Sequence, residues 1–125
     1  MTLVLDAGGL IAYERRDIAV FDLLRSEFEA GRSWRTHGGI VGQVWRDPRR
    51  QVALGKLLRA ADIAPLDAAL GRDAGRLLAQ SGTTDVVDAA LVLLARDGDE
   101  IVTSDPGDLA HLAQVAGLSV GIRVV

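Results

Sequence analysis

The 125-residue chain has no cysteine, one lysine and two histidines. Without thiols it can form no disulfide, no thiolate metal site and no cysteine nucleophile. His37 and His111 alone do not make a multi-histidine zinc centre. No apolar run reaches the roughly 18 residues of a membrane span, and the residues before Asp6 carry no basic cluster of the kind that opens a signal peptide. There is also no excess of positive charge: 17 acids face 14 bases, for a net charge of -3. A protein that binds nucleic acid by charge alone carries the opposite balance, so such a role here needs local arginine patches, metal ions or a second chain. Lys56 is the one lysine, so nearly all the basic side chains are arginines. Repeats, low-complexity tracts and linker-like stretches are missing too. The expectation is one soluble, cytoplasmic domain over residues 1–125, with no membrane association.

What is present is a regular alternation of short apolar runs and helical periodicities. Leu3-Val4-Leu5 reads as a buried strand ending at Asp6 and Gly8-Gly9. Apolar residues recur at helical spacing over 10–13 and 18–30. Residues 33–37 form a candidate second strand. Two helices are expected over 39–46 and 48–61, with Pro48 at the first position of the second. A short strand at 62–65 and a helix over 68–80 follow. Residues 86–96 are apolar nearly all round, which predicts a buried helix. A strand at 101–103, a helix at 106–116 and a strand at 120–125 complete the chain. Strands separated by helices throughout imply a parallel sheet covered on both faces.

Ligands of such sheets sit beyond the carboxyl ends of the strands, and three acids fall there. Asp6 follows the first strand, Asp105 follows the 101–103 strand, and Asp88 lies in the first turn of the buried helix with Asp85 three residues before it. Converging carboxylates repel and call for a divalent cation or raised pKa values. Oxygen ligands without Cys or His suit Mg²⁺ or Mn²⁺. Each acid also has a plainer use. Asp85 is a good N-cap with Asp88 at N3, and Asp105 a good N-cap with Pro106 at N1 and Asp108 at N3. Both readings stay open.

Taken together, Leu3-Val4-Leu5-Asp6-Ala7-Gly8-Gly9-Leu10-Ile11-Ala12, Asp88-Ala89-Ala90-Leu91-Val92 and Val102-Thr103-Ser104-Asp105-Pro106-Gly107-Asp108-Leu109 resemble, in order and spacing, the motifs of the PIN-domain family. Within it they are similar to the short VapC-like toxins of bacterial type II toxin–antitoxin systems. The resemblance implies an α/β/α sandwich on a five-stranded parallel sheet and an Mg²⁺- or Mn²⁺-dependent endoribonuclease. It also implies a homodimer and a cognate antitoxin. By position Asp6, Asp88 and Asp105 match three acidic ligands, with Asp85 and Asp108 as additional acids. Thr103 and Ser104 match the polar pair beside the last acid.

One departure stands out. The family usually places a Glu in the helix read here over 39–46, in a pattern like Val-Leu-Ala-Glu-Val, and this chain has Gln43. A neutral amide cannot serve as a carboxylate ligand or base. Glu14, in the first helix, is the nearest candidate to compensate, with a solvated position as its alternative. Arg15, Arg46, Arg49 and Arg50 are candidate phosphate contacts, or else solvated groups paired with Asp17 and Asp47. Trp34 and Trp45 are expected in packing, and the two histidines carry no argument for catalysis. The competing function is a PIN-like binding module, its nuclease disabled at Gln43 and retained for protein or RNA association. A phospho-acceptor receiver is disfavoured because no lysine follows the late strands.

Overall fold

The computed structural model describes all 125 residues. Five strands form one parallel sheet: β1 (Leu3–Leu5), β2 (Trp34–His37), β3 (Asp62–Ala64), β4 (Glu100–Thr103) and β5 (Gly121–Val124). Their order is β3-β2-β1-β4-β5. The chain steps outward from β1 to β3, crosses back, and continues through β4 to β5. Right-handed crossovers in opposite directions put their helices on opposite faces. Thus α1 (Ala7–Glu14), α2 (Ile18–Glu29), α3 (Gly38–Val44) and α4 (Val52–Arg59) pack in one group. The other group is α5 (Ala68–Ser81), α6 (Val86–Leu94) and α7 (Gly107–Val115). This is the expected α/β sandwich.

The central strand is uniformly apolar because both its faces are covered: Leu3, Val4 and Leu5 are wholly buried. The edge strands β3 and β5 are mostly exposed. Four consecutive residues of α6, Ala89 to Val92, are wholly buried, as its all-round apolarity predicts. Trp34 is a core residue, and Trp45 packs against the core with its ring beside Gly55.

Pro48 departs from expectation. It lies in a turn, and α4 begins only at Val52. The Asp47 carboxylate accepts from the Arg49 amide at 2.9 Å. The Gln51 side-chain oxygen accepts from the amides of Arg46 and Asp47 at 2.7 and 3.0 Å. These side chains offer the backbone a turn in place of another helical turn. The last helix also starts later than its sequence implies. Pro106 holds the position before its first residue and no side chain caps it.

Candidate active site

The reversal of strand order falls between β1 and β4, where a parallel sheet opens a crevice at its carboxyl edge. Asp6 immediately follows β1 on one side. Asp105 lies two residues beyond β4 on the other. α6 leads directly into β4, so it runs antiparallel to the strands and its first turn, with Asp88, lies at the same edge.

Two glycines let the sides meet. A Cβ on Gly8 would stand 2.2 Å from Ser104 Oγ and 2.8 Å from the Ser104 amide nitrogen. One on Gly9 would stand 3.0 Å from the Val102 carbonyl. The first turn of α1 therefore lies directly against the end of β4. Thr103, wholly buried, ties the two sides together. Its hydroxyl donates to Asp6 Oδ2 and accepts from the Asp105 amide at 3.0 Å. Asp6 Oδ1 meanwhile caps α1, accepting from the Gly9 amide at 2.9 Å.

Electrostatics show which acids gather here. Asp88 is half-buried and its pKa is pushed up to about 6, first by burial and then by the charges of Asp85, Asp6, Asp108 and Asp105. Asp6 is also raised, by burial and to a smaller extent by Asp105. The bonds from Thr103 and the Gly9 and Gly8 amides oppose that rise. None of the five carboxylates forms an ion pair with any of the chain's basic groups. All five acids singled out in the sequence thus act on one locus.

The capping alternatives divide. Asp85 does cap α6, its Oδ1 accepting from the Asp88 amide at 3.1 Å. Asp105 caps nothing: its amide is held by Thr103 and its exposed carboxylate is left free. Ser104 is exposed and packed on Gly8.

Of the remaining candidates, Glu14 lies apart from the cluster. Glu14 sits at the far end of α1, about 12 Å along the helix axis from Asp6 at 1.5 Å per residue. Its carboxylate accepts from Gln51 Nε2 at 3.2 and 3.3 Å, and its charge does not act on Asp88. Glu14 is therefore engaged by Gln51 and not by the acidic cluster. Gln43 is exposed on α3. Arg46 closes the end of α3 by donating to the carbonyls of Gly42 and Trp45 at 2.9 and 2.6 Å. Arg50 lies 3.8 Å from Asp47 at the surface, while Asp17 caps α2 rather than pairing with an arginine. Arg15 and Arg49 are exposed.

The donor chemistry of the cluster, hard oxygens in uncompensated negative charge, fits a divalent cation. The spacing is looser than a ligand shell: as the side chains stand, no three His, Asp or Glu groups are close enough together to hold one ion.

One residue dismissed on sequence grounds proves structurally central. His37 is wholly buried at the end of β2. Its Nδ1 accepts from the Gly39 amide at 3.0 Å and its Nε2 lies 2.9 Å from the Val87 carbonyl oxygen. Burial lowers its pKa, against the opposing effect of the Val87 bond.

No family model matches the sequence, and no curated protein does. The fold is similar to that of a chain in the crystal structure of VapBC2 from Rickettsia felis bound to a DNA fragment from their promoter. The TM-score is 0.67 over 98% of each chain, at 12% sequence identity. At that identity the likeness establishes the fold: a five-stranded parallel sheet sandwiched by helices in the arrangement of a VapBC2 subunit.

Proposed function

We propose that this chain is a divalent-metal-dependent endoribonuclease, the toxin of a toxin–antitoxin pair. The observation that carries the reading is the convergence of five carboxylate charges on the crossover crevice with no basic group to neutralise them. Such a locus stores repulsion that a divalent cation relieves. The shared fold with a VapBC2 chain and the ordered acidic motifs support the same reading.

Asp6, Asp88 and Asp105 would hold the ion, Mg²⁺ or Mn²⁺, with Asp85 and Asp108 adding negative charge around it. When bound, such an ion lowers the pKa of water and offsets charge on a scissile phosphodiester. The chain's own contribution is placement. Thr103 fixes one Asp6 oxygen and the Asp105 backbone, and Asp85 fixes the Asp88 backbone. The reading calls for no covalent enzyme intermediate, since the attacking group would be water.

An apolar surface on the α2 side supports a protein partner. Phe28 and Phe21 are 71% and 44% exposed, and they border a groove of about 460 Å³ with Tyr13, Leu57, Lys56 and Arg59. In this reading the groove receives an antitoxin segment. A homodimer and a cytoplasmic location belong to the same proposal. No helix is long and apolar enough to cross a membrane.

The competing reading, a disabled binding module, draws on Gln43 and on the engagement of Glu14 by Gln51. One experiment separates the two. Purified protein free of any partner is incubated with total RNA from its source and Mg²⁺ or Mn²⁺, and new 5′ ends are mapped. Ends that vanish with EDTA and with Asp6→Asn establish the nuclease. Folded protein that creates none sinks it in favour of the binding module.

A further inference from the structure

The last two residues of β2 each reach across to the backbone immediately before an acid. Thr36 Oγ1 donates to the Leu5 carbonyl at 2.9 Å, one residue before Asp6. His37 Nε2 meets the Val87 carbonyl at 2.9 Å, one residue before Asp88. Both side chains are wholly buried. A carbonyl only accepts and an amide only donates, so the Val87 and Gly39 contacts together dictate an imidazole protonated at Nε2 and bare at Nδ1. One rigid ring thereby fixes the start of α3, which carries Gln43, against the first turn of α6, which carries Asp88. Nothing else in the side-chain network joins those two helix starts.

We infer that His37 is a positioning residue for Asp88: through the Val87 carbonyl its Nε2–H holds the first turn of α6 at the crevice. The inference rests on the proposed metal-dependent reading for its consequence and on the hydrogen bonds alone for its mechanism. Loss of a hydrogen bond to a metal-ligating side chain commonly lowers affinity by about 10- to 100-fold, and a bond to the backbone beside the ligand is expected at the lower end of that range.

Two near-isosteric variants separate the two bonds. His37→Gln places an amide N–H near the Nε2 position and gives up the α3 cap. His37→Asn places an acceptor near Nδ1 and gives up the bond to Val87. Two readouts are taken: hydrogen exchange of the Asp88 and Ala89 amides without metal, and Mn²⁺ affinity by calorimetry.

The expected result is exchange at these two amides about tenfold faster in His37→Asn than in His37→Gln, at similar melting temperatures. Mn²⁺ affinity should fall about tenfold in His37→Asn and stay within about threefold of wild type in His37→Gln. Equal effects in the two variants, or effects that merely track melting temperature, would overturn the inference. So would faster exchange in His37→Asn with unchanged Mn²⁺ affinity.

If wild type binds no Mn²⁺ while the exchange contrast holds, the metal-dependent reading fails and the placement of α6 by His37 stands. Should neither variant fold, the wild-type imidazole ¹⁵N spectrum decides. Protonation at Nδ1, or an imidazolium at neutral pH, contradicts the bonding on which the inference depends.

Discussion

Replacing Asp88 by Asn should make the metal-free protein more stable at neutral pH, an unusual outcome for a change in a candidate active site. Asp88 titrates near 6 against an ordinary 3.8, so its charged form is disfavoured in the native state. At 1.36 kcal/mol per unit the full displacement corresponds to about 3 kcal/mol. Solvent still reaches this half-buried group and screens it, which reduces the figure to about 1 kcal/mol. The attraction of a first-turn carboxylate to the α6 dipole opposes the effect by about 0.3–0.5 kcal/mol at a solvent-screened site.

The sign with pH follows from linkage. A folded pKa above the unfolded one means the native state binds more protons between about pH 4 and pH 6, so stability falls as pH rises through that window. Asn cannot titrate and loses this component of the slope. In EDTA at pH 7.5, Asp88→Asn should melt about 3–5 °C above wild type, and the two should converge near pH 4. With Mn²⁺ the order should reverse: at tenfold excess over its Kd the ion stabilises wild type by about 1.4 kcal/mol and the variant hardly at all. Thermal unfolding followed by circular dichroism reads all of this. A variant no more stable than wild type at pH 7.5, or equally favoured at pH 4, would refute the account of a self-repelling cluster.

Other outcomes follow from the same geometry. Gly8→Ala forces a methyl onto the Ser104 backbone, so the urea midpoint should drop by the equivalent of about 1–3 kcal/mol. Glu14→Gln should leave Mn²⁺ affinity unchanged, because Gln51 already holds that side chain away from the cluster; a loss of affinity would show that Glu14 reaches the ion. Gln43→Glu should raise Mn²⁺ affinity by about tenfold through one more carboxylate, measurable by calorimetry, and no change would place residue 43 outside the ion's reach.

Much was legible in the order of residues. Periodicity locates every strand and helix to within a few positions, because a doubly covered parallel strand must be apolar throughout and a buried helix nearly so. Leu3-Val4-Leu5 and the Val86–Leu94 helix are the clearest cases. The acids at strand ends could be picked out for the same reason: Asp6 ends an apolar run, where the buried strand gives way to the carboxyl edge. Local chemistry misled where two local signals competed. Pro48 suits a helix start, yet the Asp47 and Gln51 side chains claim the neighbouring amides for a turn. Asp105 suits an N-cap, yet Thr103 claims its amide and leaves its carboxylate free.

Long-range placement belonged to the tertiary structure. Strand order is one such result, since crossover direction leaves no mark in periodicity. The role of His37 is another: its partner Val87 is 50 residues away, and a lone histidine in a strand reads the same whether or not a carbonyl waits across the sheet. Glu14 and Gln51 meet across 37 residues, which no spacing rule foretells. Sequence determined which residues are apolar, which are charged and in what order strands and helices follow one another. Only the packing of α1, α6 and the β4–α7 turn at one edge decided which charges feel each other, because Coulomb interactions depend on distance in space.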